Sequence, residues 1–311
     1  PTKQSVYREL INLNAIMNLP KGTEHFMSDL HGEYDAFYHI INNCSGVIRE
    51  KVAMLYGDEL TVYEQQELCT LIYYPREKLS ILMDENKVND EWYRNVLNHL
   101  IQIAKLLSSK YTRSKVRKAM PVDFAYIIDE LIHAQKDEDD NRSVYHRQIM
   151  ETILSLHNGD EFLVALTDLI KRLAVDHLHI LGDIYDRGSH ADKILDLLME
   201  HHSVDIQWGN HDILWMGAFC GNPVCMALVV RNNIKYKTMS ILENGYGISL
   251  RFLLQFAVNT YSDKNVDDAV YKAISVILFK LEGQLIKRHP EYRMEGRLLL
   301  DKMNLDKGTV R

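Results

Sequence analysis

The stretch of sequence that decides the fold is HILGDIYDRG, His179 to Gly188. Apolar residues run up to Gly182, and the acidic and basic side chains Asp183, Asp186 and Arg187 follow directly. A buried carboxylate needs a cation or hydrogen bonds to offset its desolvation. Two carboxylates and a guanidinium at the junction of a strand and a loop therefore indicate a site for a metal ion and a phosphate rather than a core.

The same order of strand, loop and helix occurs at two other places in the chain. In the first, a short apolar step leads to Asp29-x-His31, and helical spacing follows. In the second, the strand-like 204–208 leads to Gly209-Asn210-His211-Asp212. Proteins of the α/β class place their sites at the carboxyl ends of strands. We therefore predict that the three loops meet at one site.

These loops contain the ligands of a binuclear metal centre. Asp29 and His31 are two residues apart, so on an extended segment they point to the same side. They can hold one ion, Asn210 can hold a second through its amide oxygen, and Asp183 can bridge the two. Such a pair of ions, about 3.5–4 Å apart, clamps a phosphoryl group and generates hydroxide at neutral pH. Mixed carboxylate, amide and imidazole ligands suit manganese, iron or zinc better than calcium.

Four further polar residues of the loops have roles around such a centre. Arg187 can bind two phosphate oxygens with its forked guanidinium. His211 can protonate a leaving alkoxide, with a carboxylate orienting its ring. For Asp186 we favour a structural carboxylate that pairs with Arg187 over a metal ligand. Asp212 is expected to cap a helix or support the ligands.

The rest of the chain divides by its hydrophobic pattern. We predict a first part of the α/β core in residues 1–45, a helical insertion in 46–174, a second part of the core in 175–230 and a mainly helical extension in 231–311. The apolar stripes of the insertion helices are expected to form a core or the contacts of a homo-oligomer, and nothing in the sequence gives the number of subunits.

The composition excludes some classes of protein. With 311 residues and a net charge of −7, the chain is unlike the usual basic nucleic-acid binder. No apolar run approaches the roughly 18–20 residues of a membrane span, and the first residues contain no signal-peptide core. The four cysteines are scattered and form no CxxC pair, which is typical of a reducing cytoplasm. We therefore expect a cytoplasmic protein with no nucleic-acid or membrane partner.

The motifs D-x-H, G-D-x-x-D-R-G and G-N-H-D, in this order, resemble those of the calcineurin-like metallophosphoesterases. More of the chain, including PTKQSVYREL, the helical insertion and LENGYGISLRFLL, is similar to class III fructose-1,6-bisphosphatases, the type found in Firmicutes. This resemblance implies an α/β metallophosphoesterase sandwich with a large helical insertion. It also implies hydrolysis of the 1-phosphate of fructose 1,6-bisphosphate, in gluconeogenesis, with two Mn²⁺ ions.

Carried over residue by residue, the resemblance assigns each motif a role. Asp29, His31, Asp183 and Asn210 would be the metal ligands, Arg187 would bind the phosphate, and His211 would be the general acid. The mechanism would be in-line attack by a metal-activated hydroxide, without a phosphoenzyme.

Two departures from the family pattern stand out. Ser189 and His190 follow the R-G pair where the family often has a proline, which is a minor change. The second departure concerns ligands: the family has further histidines far downstream in a G-H context, whereas here only His289 follows His211. Members of the class are also much longer than this chain. We therefore expect a partial chain that lacks the C-terminal half, with an incomplete second metal site.

Two other functions compete with this hypothesis. One is another phosphoesterase of the superfamily, a protein serine/threonine phosphatase or a dinucleoside polyphosphatase, although the 152 residues between His31 and Asp183 (183 − 31) exceed the short spacing of those enzymes. The other is a non-catalytic metabolite-binding relic, against which the intact motifs argue.

A basic run, Lys110–Lys118, has two possible interpretations. It either contacts a phosphate or forms a solvated face, and the solvated face is the commoner situation.

Overall fold

The computed structural model describes residues 2–134, 140–261, 265–304 and 309–310. The chain divides into two compact units, one of Pro1–His25 with Tyr38–Leu178 and the other of Phe26–Phe37 with His179–Arg311. Parts of the predicted insertion and extension, residues 135–139, 262–264, 305–308 and 311, lie outside the described residues. Within the described ranges, no helix has both the length and the apolar character needed to cross a membrane.

The strands of the main sheet are β1 (Glu24–Met27), β2 (His177–Ile180) and β3 (Val204–Ile206), with β2 in the centre. The strands are parallel. Side chains of β2 alternate between buried and half-buried, as expected of a strand with two different faces. The sequence predicted these three strands. Their carboxyl ends lead into the three motif loops, which is how a parallel sheet gathers polar residues at one edge.

The first unit is built almost entirely from α-helices. They are Lys3–Ile16, Val47–Tyr56, Val62–Tyr73, Pro75–Asp84, Asp90–Ser108, Arg113–Ala119, Ala125–His133, Asp140–Ser155 and Gly159–Ala174. The helix Tyr34–Asn43 ends in this unit. The sequence pattern predicted helices in most of these places but not at Val47–Tyr56, Pro75–Asp84 or Arg113–Ala119. The second of these begins with a proline at its first turn, where a missing N–H costs nothing.

Helix caps and apolar faces explain where the helices of this unit begin and how they pack. Thr61 and Glu64 form a reciprocal capping box, and the Asn89 side chain accepts a hydrogen bond from the Trp92 N–H at 2.8 Å. The helices then bury their apolar faces in one continuous core that includes Ile48, Leu100 and Leu166, all fully buried. Burial of each such side chain stabilises the fold by about 1.5–3 kcal/mol.

The basic run at Lys110–Lys118 includes the short helix Arg113–Ala119. Lys115 forms an ion pair with Asp176 at 2.5 Å, and Arg117 forms one with Asp129 at 2.7 Å. Two of the five basic side chains are therefore neutralised within the unit, which favours the structural interpretation of this run.

The second unit carries the motif loops and its own helical core. Its α-helices are Ala191–Glu200, Asn210–Phe219, Pro223–Tyr236, Arg251–Thr260 and Val266–Arg288. The last three of these helices share a core of small and branched side chains, among them Ala257, Ala273 and Leu278. Two further short strands pair antiparallel, Met303 with Val310 and Asn304 with Thr309.

Candidate metal centre

The first and second motif loops are joined through their backbones. The N–H groups of Asp29 and His31 donate to the carbonyl oxygens of Gly182 and Asp183 at 3.1 and 2.8 Å. In the opposite direction, the Gly188 N–H donates to the His31 carbonyl at 2.7 Å. These bonds continue the pairing of β1 with β2 beyond the ends of the strands. They therefore place residues 152 positions apart in the sequence side by side.

The loops adopt a backbone conformation that most residues avoid. Asp29, His31, Asp183, Asp186 and Arg187 have φ values of 55, 44, 55, 63 and 78°. Left-handed backbone at a non-glycine residue costs about 1–3 kcal/mol and is concentrated at functional sites. Five such residues in two loops indicate that the rest of the unit holds these side chains in place against a local preference.

One glycine shows why the second motif begins as it does. Gly182 has a φ of 93°, and a Cβ at this position would collide with the backbone of Gly209. The absence of a side chain lets the loops after β2 and β3 approach each other at the backbone. The glycines of the G-D and G-N motifs therefore serve the close contact between the loops.

Three of the sequence-predicted metal ligands come together. Ligand atoms of Asp29, His31 and Asp183 all lie within 4.8 Å of one another. Nδ1 of His31 lies 3.2 Å from the Tyr185 carbonyl oxygen, which can only accept, so this nitrogen carries the proton. Nε2 is then a lone-pair donor. It is buried, has no hydrogen-bond partner and lies 3.5 Å from Asp29 Oδ1.

The other two predicted binding residues are exposed. Asn210 begins the helix Asn210–Phe219, and no hydrogen bond of its side chain is formed with the described residues. Its neighbour His211 donates its backbone N–H to Asp183 Oδ1 at 3.2 Å, which brings the start of this helix to the metal ligands. Arg187 is exposed on the loop and forms no ion pair within the described part of the chain. Its guanidinium is therefore available to an anion.

His211 is oriented by a buried carboxylate. Its Nδ1 donates to Oδ2 of Asp186 at 2.7 Å, so Nε2 is the nitrogen that remains for acid–base chemistry. The Asp186 side chain is fully buried, and it also accepts from Trp215 Nε1 at 3.0 Å and Asn232 Nδ2 at 2.9 Å. The prediction that Asp186 pairs with Arg187 is wrong. The Asp186 oxygens face the helices behind the loop, where N–H donors replace water.

Asp212 ties the second and third motifs together. Its carboxylate accepts from the backbone N–H groups of Asp183, Ile184 and Tyr185 at 2.7–3.2 Å. It also accepts from the N–H of Gly209 at 2.8 Å, at the start of the helix. A carboxylate at a helix N-terminus is stabilised by the helix dipole. The prediction that Asp212 is a supporting and capping residue is confirmed.

An aromatic group packs against the back of the loop. Tyr185 stacks on Trp215 with ring centroids 4.3 Å apart, and its hydroxyl lies 2.8 Å from that of Tyr246. Burial is the main cause that raises the pKa of the Tyr185 hydroxyl, and the bond to Tyr246 raises it further. Tyr185 is therefore a neutral packing residue at physiological pH.

The sequence did not indicate two of the residues that support His211. Trp215 lies four positions after His211 on one helix, so the i, i+4 spacing was a usable signal for a shared face. Asn232 lies on Pro223–Tyr236, and its approach to Asp186 depends on the packing of two helices. No local pattern marks that contact.

Comparison with known proteins decides the family. Residues 1–311 match the family model of the Firmicute fructose-1,6-bisphosphatase. The chain belongs to this family. The match over the whole chain confirms the resemblance inferred from the motifs.

Curated relatives in the family come from several clostridia. Fructose-1,6-bisphosphatase class 3 1 of Clostridium beijerinckii is 51% identical over 330 residues, which covers 100% of this chain and 50% of the relative. The class 3 proteins of Clostridium tetani and Clostridium acetobutylicum are 50% and 49% identical, and the alignments cover 98% and 100% of this chain and 49% and 50% of the relatives. The chain thus spans about half the length of the curated relatives it matches. No solved structure matches it.

Proposed function

We propose that the protein is a metal-dependent phosphomonoester hydrolase that removes the 1-phosphate of fructose 1,6-bisphosphate and yields fructose 6-phosphate. The observation that carries this proposal is the cluster of Asp29, His31 and Asp183, in which the buried His31 Nε2 has no partner. A buried nitrogen without a hydrogen bond is costly, so the cluster fits a cation. The family and the names of its members support the substrate.

The donor set determines which ions the centre would hold. Asp29, His31 and Asp183 would bind one divalent ion. Asp183 and the amide oxygen of Asn210 would contribute to a second. Carboxylate, imidazole and amide ligands suit Mn²⁺, which we propose as the ion. When bound, such ions neutralise phosphoryl oxygens and lower the pKa of water.

The protein's own side chains would perform the remaining steps. Arg187 would bind two oxygens of the transferred phosphoryl group and hold it for in-line attack. His211 would donate the Nε2 proton to the leaving sugar oxygen, because Asp186 holds Nδ1 and stabilises the imidazolium. Trp215 and Asn232 would hold the Asp186 side chain in position by donating hydrogen bonds to it.

We further propose a calcineurin-like phosphoesterase core built on the parallel sheet and a helical insertion within residues 46–174.

We also propose that the protein forms a homo-oligomer. The first helix supports this, because its apolar side chains Val6, Leu10 and Leu13 are about half exposed and could pack against a second copy. The four cysteines are all free, which supports action in the reducing cytoplasm.

A substrate panel tests the proposed function. Phosphate release would be measured with Mn²⁺ on fructose 1,6-bisphosphate, a phosphoserine protein and diadenosine tetraphosphate, with Asp183→Ala as the inactive control. We expect the sugar bisphosphate to be the preferred substrate by kcat/KM and fructose 6-phosphate to be the product. Preference for the phosphoprotein or the dinucleotide would assign the site to another phosphoesterase. Tight Mn²⁺ binding without any hydrolysis, by this chain and also by a protein of the full length of the relatives that contains it, would favour a non-catalytic relic.

A further inference from the structure

A second group of metal-ligating side chains lies on the main sheet, and none of the ligands of the motif loops belongs to it. The central strand β2 carries His177 and His179, and the neighbouring strand β3 carries Asp205. One ligand atom from each of the three lies within 4.8 Å of the other two. Two ligand atoms on opposite sides of one transition-metal ion are about 4 Å apart. Small rotations of these side chains therefore suffice to bring all three to a common ion.

The geometry of β2 gives the two histidines the same face of the sheet. Side chains two residues apart on a strand point to the same side. Leu178 and Ile180, which alternate with them, are fully buried on the opposite face, whereas His177 and His179 are half-buried. Because the two histidines are two residues apart on one strand, the strand itself sets their separation. Two imidazoles thus stand side by side where β-branched or aromatic side chains are usual.

Asp205 brings a carboxylate to the histidines from the next strand. Its Oδ1 lies 2.9 Å from Nδ1 of His179. The Gln207 N–H donates to the Ile180 carbonyl at 2.7 Å, which fixes the register of β3 beside β2. The Asp205 side chain is 50% exposed and that of His179 is 21% exposed. An ion can therefore reach these atoms from solvent without opening the core.

Packing holds the ring of His179 in position. The ring stacks on Phe26 of β1, with centroids 4.4 Å apart and an angle of 14° between the planes. Side chains from both neighbouring strands, Phe26 and Asp205, thus contact His179. A ring that is already ordered by packing loses less conformational freedom when it binds an ion.

The donor atoms select the class of ion. Two imidazoles and one carboxylate are a typical ligand set for zinc, which often keeps a water molecule as its fourth ligand. Imidazole suits zinc, copper and nickel, whereas sites rich in carboxylate and carbonyl oxygens suit magnesium, calcium and manganese. The cluster of Asp29, His31 and Asp183 has two carboxylates and one imidazole, so the two clusters are expected to prefer different ions.

We propose that His177, His179 and Asp205 form a second metal site, which binds one Zn²⁺ ion with water as the remaining ligand. The ion takes the place of the proton between His179 Nδ1 and Asp205 Oδ1, and that proton is released to solvent, because ligands bind metals in their deprotonated form. The ion links β2 to β3 a few residues before Asp183 and Asn210. Its role is structural, and the site does not depend on the proposed hydrolase activity.

Zinc titration in a chain without the motif centre tests this site. The full chain carrying Asp183→Ala, with the accessible thiols of Cys220 and Cys225 alkylated, would be titrated with Zn²⁺ and with Mn²⁺ in a calorimeter. We expect one equivalent of zinc to bind saturably and manganese to bind at least about tenfold more weakly. No saturable zinc binding, or tighter binding of manganese, would overturn the site. If Asp183→Ala does not fold, the alkylated parent chain should bind one more zinc ion than its His179→Gln variant.

Variants locate the zinc ion. His177→Gln, His179→Gln and Asp205→Asn each remove a ligand, so each should weaken zinc by more than the roughly 10- to 100-fold that loss of a supporting partner costs. His157→Asn is the matched control, since it removes an exposed imidazole at a left-handed position that asparagine tolerates, and it should leave the zinc affinity unchanged. Circular dichroism without zinc establishes that each variant is folded. Unchanged affinity in a folded His179→Gln protein, or an equal loss in His157→Asn, would refute the site.

Two further measurements test the ligands and the structural role. X-ray absorption of the zinc-loaded Asp183→Ala chain should show nitrogen and oxygen ligands at about 2.0–2.2 Å, and a sulfur shell at about 2.3 Å would assign the ion to cysteine instead. Zinc should also raise the melting temperature of this chain, because an ion that binds only the folded state stabilises it. The rise should disappear when His179→Gln is added, and zinc binding without any rise would contradict the structural role.

Discussion

Nδ1 of His211 lies 2.7 Å from Oδ2 of Asp186, and this pair connects the loop after β2 with the helix after β3. The Asp186 side chain is fully buried, and the His211 side chain is 14% exposed. The hydrogen bond therefore fixes both the tautomer and the orientation of a ring whose other nitrogen is left for acid–base chemistry.

Loss of the Asp186 charge should impair catalysis more than folding. Asp186→Asn keeps the shape of the side chain but replaces a carboxylate that accepts three hydrogen bonds with an amide. One of the two acceptor oxygens thereby becomes an NH₂ donor. We expect kcat to fall roughly 10- to 100-fold, as for other residues that orient a site histidine. The pH profile of kcat should also change, because the imidazolium loses its counter-charge. Asp268→Asn, on an exposed first turn of Val266–Arg288, is the control.

Trp215→Phe should lower the free energy of unfolding, because it removes one of the hydrogen bonds to Asp186. The phenyl ring can still stack on Tyr185, but the hydrogen bond from Nε1 to Asp186 is lost. We expect the free energy of unfolding in urea to fall by about 1.5–3 kcal/mol, since the bond is made to a charged group. Trp208→Phe, at a 65% exposed position, should leave the stability nearly unchanged. An equal loss in both variants would mean that the bond to Asp186 contributes nothing.

Binding of Mn²⁺ should depend on Asp183. The parent chain is expected to melt at a higher temperature with Mn²⁺ than with chelator, because an ion that binds only the folded state stabilises it. At 100 times the dissociation constant this stabilisation is about 2.7 kcal/mol. Asp183→Ala should abolish the shift, and Asp196→Ala, an exposed substitution on Ala191–Glu200, should preserve it. A persistent shift in Asp183→Ala would remove Asp183 from the metal centre.

Gly182→Ala should be among the most destabilising substitutions in the second unit. Gly182 has a φ of 93° and no room for a Cβ against Gly209. Left-handed backbone costs roughly 1–2 kcal/mol and overpacking about 1–3 kcal/mol, so we expect a loss of about 2–5 kcal/mol in chemical denaturation. Gly247→Ala, with a φ of 67° and open space, isolates the backbone effect. Gly296→Ala, which has open space and no left-handed φ, should be almost neutral.

The buried Tyr56 should make the stability of the first unit sensitive to alkaline pH. Burial raises its pKa to about 12, and its hydroxyl donates to the His99 carbonyl at 3.0 Å. An unfolded tyrosine ionises near pH 10. Above about pH 10 the unfolded chain therefore binds fewer protons than the folded chain, and the free energy of unfolding falls until about pH 12. Below pH 10 this contribution is complete.

Tyr56→Phe should reduce that alkaline slope in urea denaturation from about pH 9 to about pH 11.5. Near pH 7 the variant should lose about 1 kcal/mol through the missing hydrogen bond. Tyr63→Phe, at a 66% exposed position, should keep both the stability at pH 7 and the slope of the parent. An unchanged slope in Tyr56→Phe would show that other groups cause the alkaline sensitivity.

The sequence by itself determined the three strands, most of the helices, the order of the motif loops and the family. These features depend on short-range patterns: apolar periodicity, caps and residues a few positions apart. The donor chemistry of Asp29, His31 and Asp183 was equally visible, because residue type alone decides which atoms can ligate a cation.

The tertiary structure alone decided which partners those residues have. Asp186 was expected beside Arg187, its neighbour in the sequence, but burial against two helices gives it His211, Trp215 and Asn232 instead. The unpartnered Nε2 of His31 likewise follows from a carbonyl that lies 154 positions away in the chain. Hydrogen bonds of buried groups depend on which elements exclude water around them, and that packing is set by the whole unit rather than by any local stretch.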